Sequence, residues 1–161
     1  GTFVIVLCVI FLFIKLRYTA LLFITYLEAG IIVQILKKLV FTESLRPVAF
    51  FTDPSGLHFV DSVHLHSSYS FPSGHTATAF GLFLCLGVIS RYTWLQPVFF
   101  ILALLVGYSR IYLSQHFLLD VYAGSVIGTL VALYCTYFVN KFSYSWLNYS
   151  IMDVKQVNKK T

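Results

Sequence analysis

The sequence predicts an all-α fold, a polytopic bundle of transmembrane helices, and three observations predict it. Hydrophobic residues make up 58% of the 161 residues and charged residues 11%, where an ordinary soluble domain carries about a quarter charged. The apolar residues gather into long runs rather than alternating, as bilayer-crossing helices require and strands do not. Phe and Tyr are abundant, at 16 and 11 residues, and aromatic rings collect at membrane interfaces. A soluble domain of this size could not cover its core with so little polar surface, which excludes that class.

Five apolar segments follow in order. Residues 2–14 fall short of the roughly 17–25 that a span needs, so this segment reads as truncated. Residues 19–39, 74–90, 94–109 and 117–139 are the others, with Pro97 tolerable in a first helical turn. Backbone groups in hydrocarbon must pair internally, so all five are expected to be helices. The chain opens on Gly1 with no Met and no basic leading region, which reads as a lost N-terminus rather than a signal peptide. Residues 1–147 are expected to form one transmembrane domain, and 148–161 a polar, loosely ordered cytoplasmic tail.

Residues 41–72 make a long connection between the second and third segments. It holds the turn signal Asp53-Pro54-Ser55-Gly56 and three histidines. A connection of this length without its own periodicity is usually functional.

Successive spans alternate direction and so sort the connections onto two sides. Lys15, Arg17, Arg91, Lys141 and the tail lysines Lys155, Lys159 and Lys160 share one side, which the positive-inside rule makes cytoplasmic. The long loop and the connection 110–120 share the other. Tyr92, Trp94, Tyr144 and Trp146 fit the cytoplasmic interface; Tyr108, Tyr112 and Tyr122 fit the opposite one. The net charge of +5 therefore points to topology and anionic lipid rather than to nucleic acid. Small single-domain size suggests a bacterial inner membrane, with the second side periplasmic.

Three chemistry-bearing clusters fall on that second side. Pro72-Ser73-Gly74-His75 opens a helix: Ser73 can cap it, its free N–H groups attract an anion, and Gly74 admits a phosphate close to the backbone. The plainer reading is an ordinary helix start beside an interface histidine. Ser109-Arg110-x5-His116-x3-Asp120 is more specific. Its i, i+4 spacing sets Asp120 against His116 on one helix face. A carboxylate on one ring nitrogen fixes the tautomer and frees the other nitrogen as a nucleophile, while Arg110 offers a planar fork for phosphate oxygens. Lys38, or alternatively Lys37, and Arg46-Pro47 add further cations, although a lysine at a helix end also commonly snorkels. Two histidines, one carboxylate and several cations suit phosphoryl transfer with no metal or cofactor, the cations neutralising the phosphate oxygens.

This arrangement resembles the type 2 phosphatidic acid phosphatase family, which shares its site with vanadium haloperoxidases and glucose-6-phosphatase. The family's Pro-Ser-Gly-His and Ser-Arg-x5-His-x3-Asp blocks match without deviation. Its Lys-x6-Arg-Pro block departs, because seven residues separate Lys38 from Arg46. The resemblance spans about residues 38–120. It implies six membrane helices, hence one preceding the five visible here. It implies that His116 attacks phosphorus, Asp120 orients it, and His75 protonates the leaving lipid oxygen. It implies further that Lys38, Arg46, Ser73, Gly74 and Arg110 hold the phosphate, and that the substrate is a lipid phosphate: a phospholipid or a polyprenyl (pyro)phosphate.

Other readings are a membrane phosphatase of soluble phosphate esters and a non-catalytic anion-binding membrane protein. The chain is too apolar for a haloperoxidase. His58, His64 and His66 lack the carboxylate or Cys partners of a metal site and read as loop surface. Cys8, Cys85 and Cys135 sit in apolar runs as small buried hydrophobes. Glu28 lies mid-helix, where a carboxylate is costly, and is either protonated or paired across the bundle.

Overall fold

The computed structural model describes residues 2–53, 56, 58, 66–142 and 144–153. His64, Lys155, Lys159 and Lys160, and Pro54-Ser55 of the expected turn, lie outside them. Each apolar run becomes a helix: α1 (Thr2–Leu12), α2 (Leu16–Ile35), then, after a short helical turn α3 (Pro47–Phe50), α4 (Gly74–Ile89), α5 (Leu95–Tyr112) and α6 (Leu118–Lys141). No strand forms among the described residues. Three helical stretches, Leu16–Val40, Leu95–Tyr112 and Leu118–Lys141, are long and apolar enough to cross a membrane. At 1.5 Å per residue, α4 with its 16 residues reaches about 24 Å.

That shorter helix is the centre of the bundle, with α2, α5 and α6 packed around it. Thr76, Ala77, Ala79, Gly81, Leu82, Cys85 and Gly87 of α4 are buried. The outer faces carry exposed apolar side chains, among them Phe100, Ile101 and Leu105 on α5 and Leu130 and Leu133 on α6. An apolar exterior around a core of small residues is the pattern of a helix bundle in lipid, where packing rather than water drives association.

The α4–α6 crossing is as close as it can be. A Cβ on Gly128 would stand 2.1 Å from the carbonyl oxygen of Ala77, and one on Gly124 would stand 2.5 Å from that of Ser73. Only glycine at both positions lets the two backbones meet, and Ser73 is thereby pressed against the start of α6.

Two polar contacts join helices inside the bundle, while Thr136 Oγ1 on α6 and Arg17 Nε on α2 are buried without a hydrogen-bond partner among the described residues. Cys135 on α6 donates to the Glu28 carboxylate on α2 at 3.2 Å, so Glu28 is tied across the bundle. Cys85 lies 3.4 Å from the Thr25 hydroxyl. Cys85 and Cys135 are buried and all three cysteines are free.

At the far end, Tyr134, Phe138, Phe142, Tyr144 and Trp146 form a continuous aromatic column beside Lys141. The segment that follows turns back, so that Leu16 donates its N–H to the Tyr149 carbonyl at 3.0 Å and Ser150 is buried. Tyr149 is thus tied to the start of α2, within the stretch from residue 148 onward that the sequence reads as a loose tail.

The long connection has its two ends stitched together. Leu45 and Ser68 form an antiparallel bridge, Arg46 donates its N–H to the Ser67 carbonyl at 3.0 Å, and Ser70 donates its own to the Ser44 carbonyl at 3.0 Å. The stretch read as lacking periodicity therefore has local structure at both ends, and that structure places Arg46 and Ser70.

Candidate active site

The end of α2, the start of α4, the end of α5 and the start of α6 come together at one end of the bundle. A cavity of about 600 Å³ opens there. Lys37, Arg46, Gly74, His75 and His116 line its polar end, while Tyr26, Leu27, Gly30 and Ile31 of α2 continue it as an apolar wall.

His116 stands in the turn between α5 and α6 and is 3% exposed. Its Nδ1 lies 3.3 Å from Asp120 Oδ2; α6 begins only at Leu118, so the expected pairing forms from the turn before the helix rather than along one helix face. The same carboxylate oxygen accepts the Phe117 backbone N–H at 2.9 Å and the Ser70 hydroxyl. With Nδ1–H directed at a carboxylate, Nε2 carries the lone pair. Burial, aided by the Arg46 and Lys37 charges, pulls the His116 pKa below the usual histidine value, and the hydrogen bond to Asp120 opposes this only in part. The imidazole is thus held neutral, as a nucleophile must be.

Ser73 is the N-cap of α4: its hydroxyl accepts the Thr76 N–H at 3.5 Å and the Thr76 hydroxyl at 2.9 Å. Its own N–H donates to the Asp120 carbonyl at 2.9 Å. The first-turn N–H groups that follow have no carbonyl one turn earlier and form an anion-attracting helix start. A Cβ on Gly74 would meet only Val33, at 3.4 Å, so packing alone does not demand glycine there.

The cations are held by backbone and amide groups. Arg46 donates from Nε to the Ser68 carbonyl at 3.2 Å and from a terminal nitrogen to the Gln115 carbonyl at 3.4 Å. Arg110 donates to the Ser109 hydroxyl at 3.1 Å and to the Gln115 side-chain oxygen at 3.0 Å, and its charge is felt at His75. Gln115 therefore braces both guanidiniums. Among the described residues neither arginine pairs with a carboxylate, which leaves their charge available to an anion.

Of the two lysines, Lys37 is buried and lines the cavity beside His75 and His116, donating to the Tyr69 carbonyl at 2.7 Å. Lys38 is exposed and lines the adjoining pocket instead. The reason is local. Residues Leu36–Val40 form a π-helical turn, with Phe41 donating to the Leu36 carbonyl at 2.8 Å. Such a turn holds one more residue than an α turn and re-aims the side chains in it.

Three residues in this site were not singled out from the sequence. Ser70 and Gln115 carry no spacing signal, and Tyr69 contributes only its carbonyl, from a backbone with φ of +57°. Of the loop histidines, His58 packs against Tyr112 with ring centres 4.5 Å apart and planes tilted by 43°, and His66 lines the pocket that holds Lys38.

The family model of the PAP2 superfamily matches residues 17–144. The chain is 38% identical over 60 residues to the lipid A 4′-phosphatase of Bacteroides thetaiotaomicron, a stretch that is 37% of this chain and 27% of that protein. It is 40% identical over 76 residues to the bacitracin transport permease protein BcrC of Bacillus licheniformis, covering 47% of this chain and 36% of that one. The matched stretches thus take in well under half of these relatives' own length. Among solved structures, a transmembrane PAP2-type phosphatidylglycerolphosphate phosphatase from Bacillus subtilis superposes with a TM-score of 0.67 at 26% identity, over 90% of this chain and 73% of that one.

Proposed function

The chain belongs to the PAP2 superfamily, and from that premise we propose that it is an integral membrane phosphatase that hydrolyses a lipid phosphate through a phosphohistidine. The observation that carries this reading is His116, buried, with Nδ1 on Asp120 and its ring on the wall of a cation-lined cavity. His116 Nε2 attacks phosphorus and forms a P–N bond. The P–O bond to the lipid breaks, and His75, across the same cavity, gives its proton to the departing oxygen. The dephosphorylated lipid leaves; water then attacks the phosphohistidine and gives a proton back to His75, the P–O bond to water forms as the P–N bond breaks, and inorganic phosphate departs. Arg46, Arg110, Lys37 and the N–H groups at Gly74 and His75 neutralise the phosphate oxygens as charge shifts between them. No metal is needed in this scheme.

The apolar wall of α2 below the phosphate end suits a lipid chain, which favours a lipid over a soluble ester. We place five of the helices across the bilayer, in a bacterial inner membrane, with the site on the periplasmic side. Residues 1–147 act as one domain. The test is phosphate release from a panel of lipid phosphates, in detergent with a chelator, beside His116→Ala. Release that survives chelation and disappears in the variant supports the reading; undiminished release by His116→Ala ends it.

The permease name of one relative motivates a second reading, anion passage. The cations gather at one end of the bundle rather than along a path through it, and Glu28 is engaged with Cys135, so hydrolysis is the stronger reading. Anion flux into liposomes without phosphate release would reverse that order.

A further inference from the structure

Beside the cavity that holds His116 lies a second pocket of about 460 Å³, lined by Gln34, Lys37, Lys38, Arg46, His66 and the Ser67–Tyr69 strip. Gln34, Lys37 and Arg46 line both, so the two are neighbours across a shared wall of charge. Among the described residues, every full charge on the second pocket is positive. Lys38 in particular has no carboxylate partner among the described residues, while serine hydroxyls and the Gln34 amide supply further hydrogen-bonding groups.

One phosphate does not account for this layout. The scissile group needs His116 and His75 around it, and Lys37 and Arg46 on their cavity wall, with Arg110 near His75, already supply its cations. Lys38 is turned away from them by the π-helical turn and meets the same two cations from the other side. A cation cluster that reaches past the reacting phosphate suits an anion attached to it.

We propose that this pocket is a second anion subsite, built around Lys38, and that the natural substrate carries a second phosphate on its leaving group. Two lipid chemistries have that feature: a polyprenyl diphosphate, whose leaving group is itself a phosphate, and a phosphatidyl lipid with a phosphomonoester on its head group. Phosphatidic acid lacks it. The inference deepens the phosphatase reading and rests on it for the word substrate, while the subsite itself does not depend on catalysis.

Two measurements on the detergent-solubilised chain separate these. The first is binding of inorganic pyrophosphate and of orthophosphate, by titration, to the unmodified chain and to Lys38→Ala. Pyrophosphate is expected to bind about tenfold or more tighter than orthophosphate, with that ratio collapsing in Lys38→Ala, as loss of a charged hydrogen bond implies. A ratio unaffected by the substitution overturns the subsite. The second is kcat/KM for phosphatidic acid, a polyprenyl diphosphate and phosphatidylglycerol phosphate. Lys38→Ala is expected to lower the value for one or both two-phosphate lipids about tenfold more than for phosphatidic acid, and whichever falls names the source of the second phosphate. Equal losses on all three overturn the inference, since Lys38 would then serve the reacting phosphate or the bilayer surface. Pyrophosphate preference without hydrolysis of any lipid would sink the phosphatase reading and leave the subsite standing.

Discussion

The backbone N–H of Ser73 donates to the carbonyl oxygen of Asp120 at 2.9 Å, joining the helix start proposed to bind phosphate to the residue proposed to orient the nucleophile. Two parts of the site that lie 47 positions apart in the chain are thereby one rigid unit, and the glycine crossing of α4 and α6 sits directly beneath it. Site geometry is therefore coupled to helix packing, which makes Gly124 informative.

A methyl group at residue 124 would stand 2.5 Å from the Ser73 carbonyl oxygen, a backbone atom with no rotamer to escape into. Gly124→Ala must push α4 from α6 and is expected to destabilise the fold by about 1–3 kcal/mol, lowering activity with it. Thermal unfolding in detergent measures this. Gly30→Ala is the control for stability, because nothing lies within 4 Å of its would-be Cβ; equal melting shifts for the two variants would contradict the packing account.

Gly74 behaves in the opposite way. The protein leaves room for a Cβ there, touching only Val33 at 3.4 Å, yet the position lines the cavity beside His75 and His116. Gly74→Ala is expected to melt within a degree or two of the unmodified chain while its kcat/KM falls at least about tenfold, the loss of one good phosphate contact. Full activity in that variant would remove the backbone of Gly74 from the phosphate site.

The part of the site that could be read from sequence is the part carried by local periodicity. Pro72 to His75 is a helix start, and His116 and Asp120 are four positions apart, close enough for the turn into α6 to bring them together. Lys37 could not be read that way. A regular α-helix offers no ground to prefer it over Lys38, and the π-helical turn that decides between them is a tertiary outcome. Ser70 and Gln115 act through contacts across 50 and 69 positions respectively, which no spacing encodes. The five helices were legible because lipid requires long apolar runs, whereas the tie of Tyr149 to the start of α2 rests on one backbone hydrogen bond and was not.

His116 makes a prediction about pH. Burial lowers its pKa from the ordinary histidine value of 6.5, so the neutral, nucleophilic form persists as pH falls through that range. The acid limb of kcat/KM assigned to the nucleophile is expected below about pH 6.5. The stability linkage has the matching sign. The unfolded chain binds this proton more tightly, so His116 costs nothing above the ordinary value and weakens the fold as pH drops below it toward the folded-state pKa. A pH–rate profile whose acid limb lies above 6.5 would mean the buried ring is not the group that titrates.

Asp120→Asn tests orientation separately from charge. The amide keeps the size of the carboxylate but does not hold Nδ1–H as strongly and can present its own N–H to the ring, favouring the wrong tautomer. A kcat loss of about 10²–10⁴ is expected, with KM little changed because the phosphate contacts are elsewhere. A rise in KM without loss of kcat would instead place Asp120 among the groups that hold the substrate.

Ser70 is the residue whose role the structure alone assigns. It is buried, its hydroxyl donates to Asp120 Oδ2, and the same oxygen lies 3.5 Å from His116 Nδ1. It touches neither of the nitrogens that would meet substrate, so it is a positioning residue acting through Asp120. Ser70→Ala leaves that carboxylate oxygen with the Phe117 N–H and the imidazole, so the pair stays in place but loses one of three restraints. The expected result is a fall in kcat of about tenfold, the worth of one hydrogen bond to a charged group. KM should hold, and the acid limb of the pH profile should move. A structural role alone would lower the melting temperature and leave kcat of the folded enzyme and its pH profile where they were, and that outcome would remove Ser70 from the catalytic network.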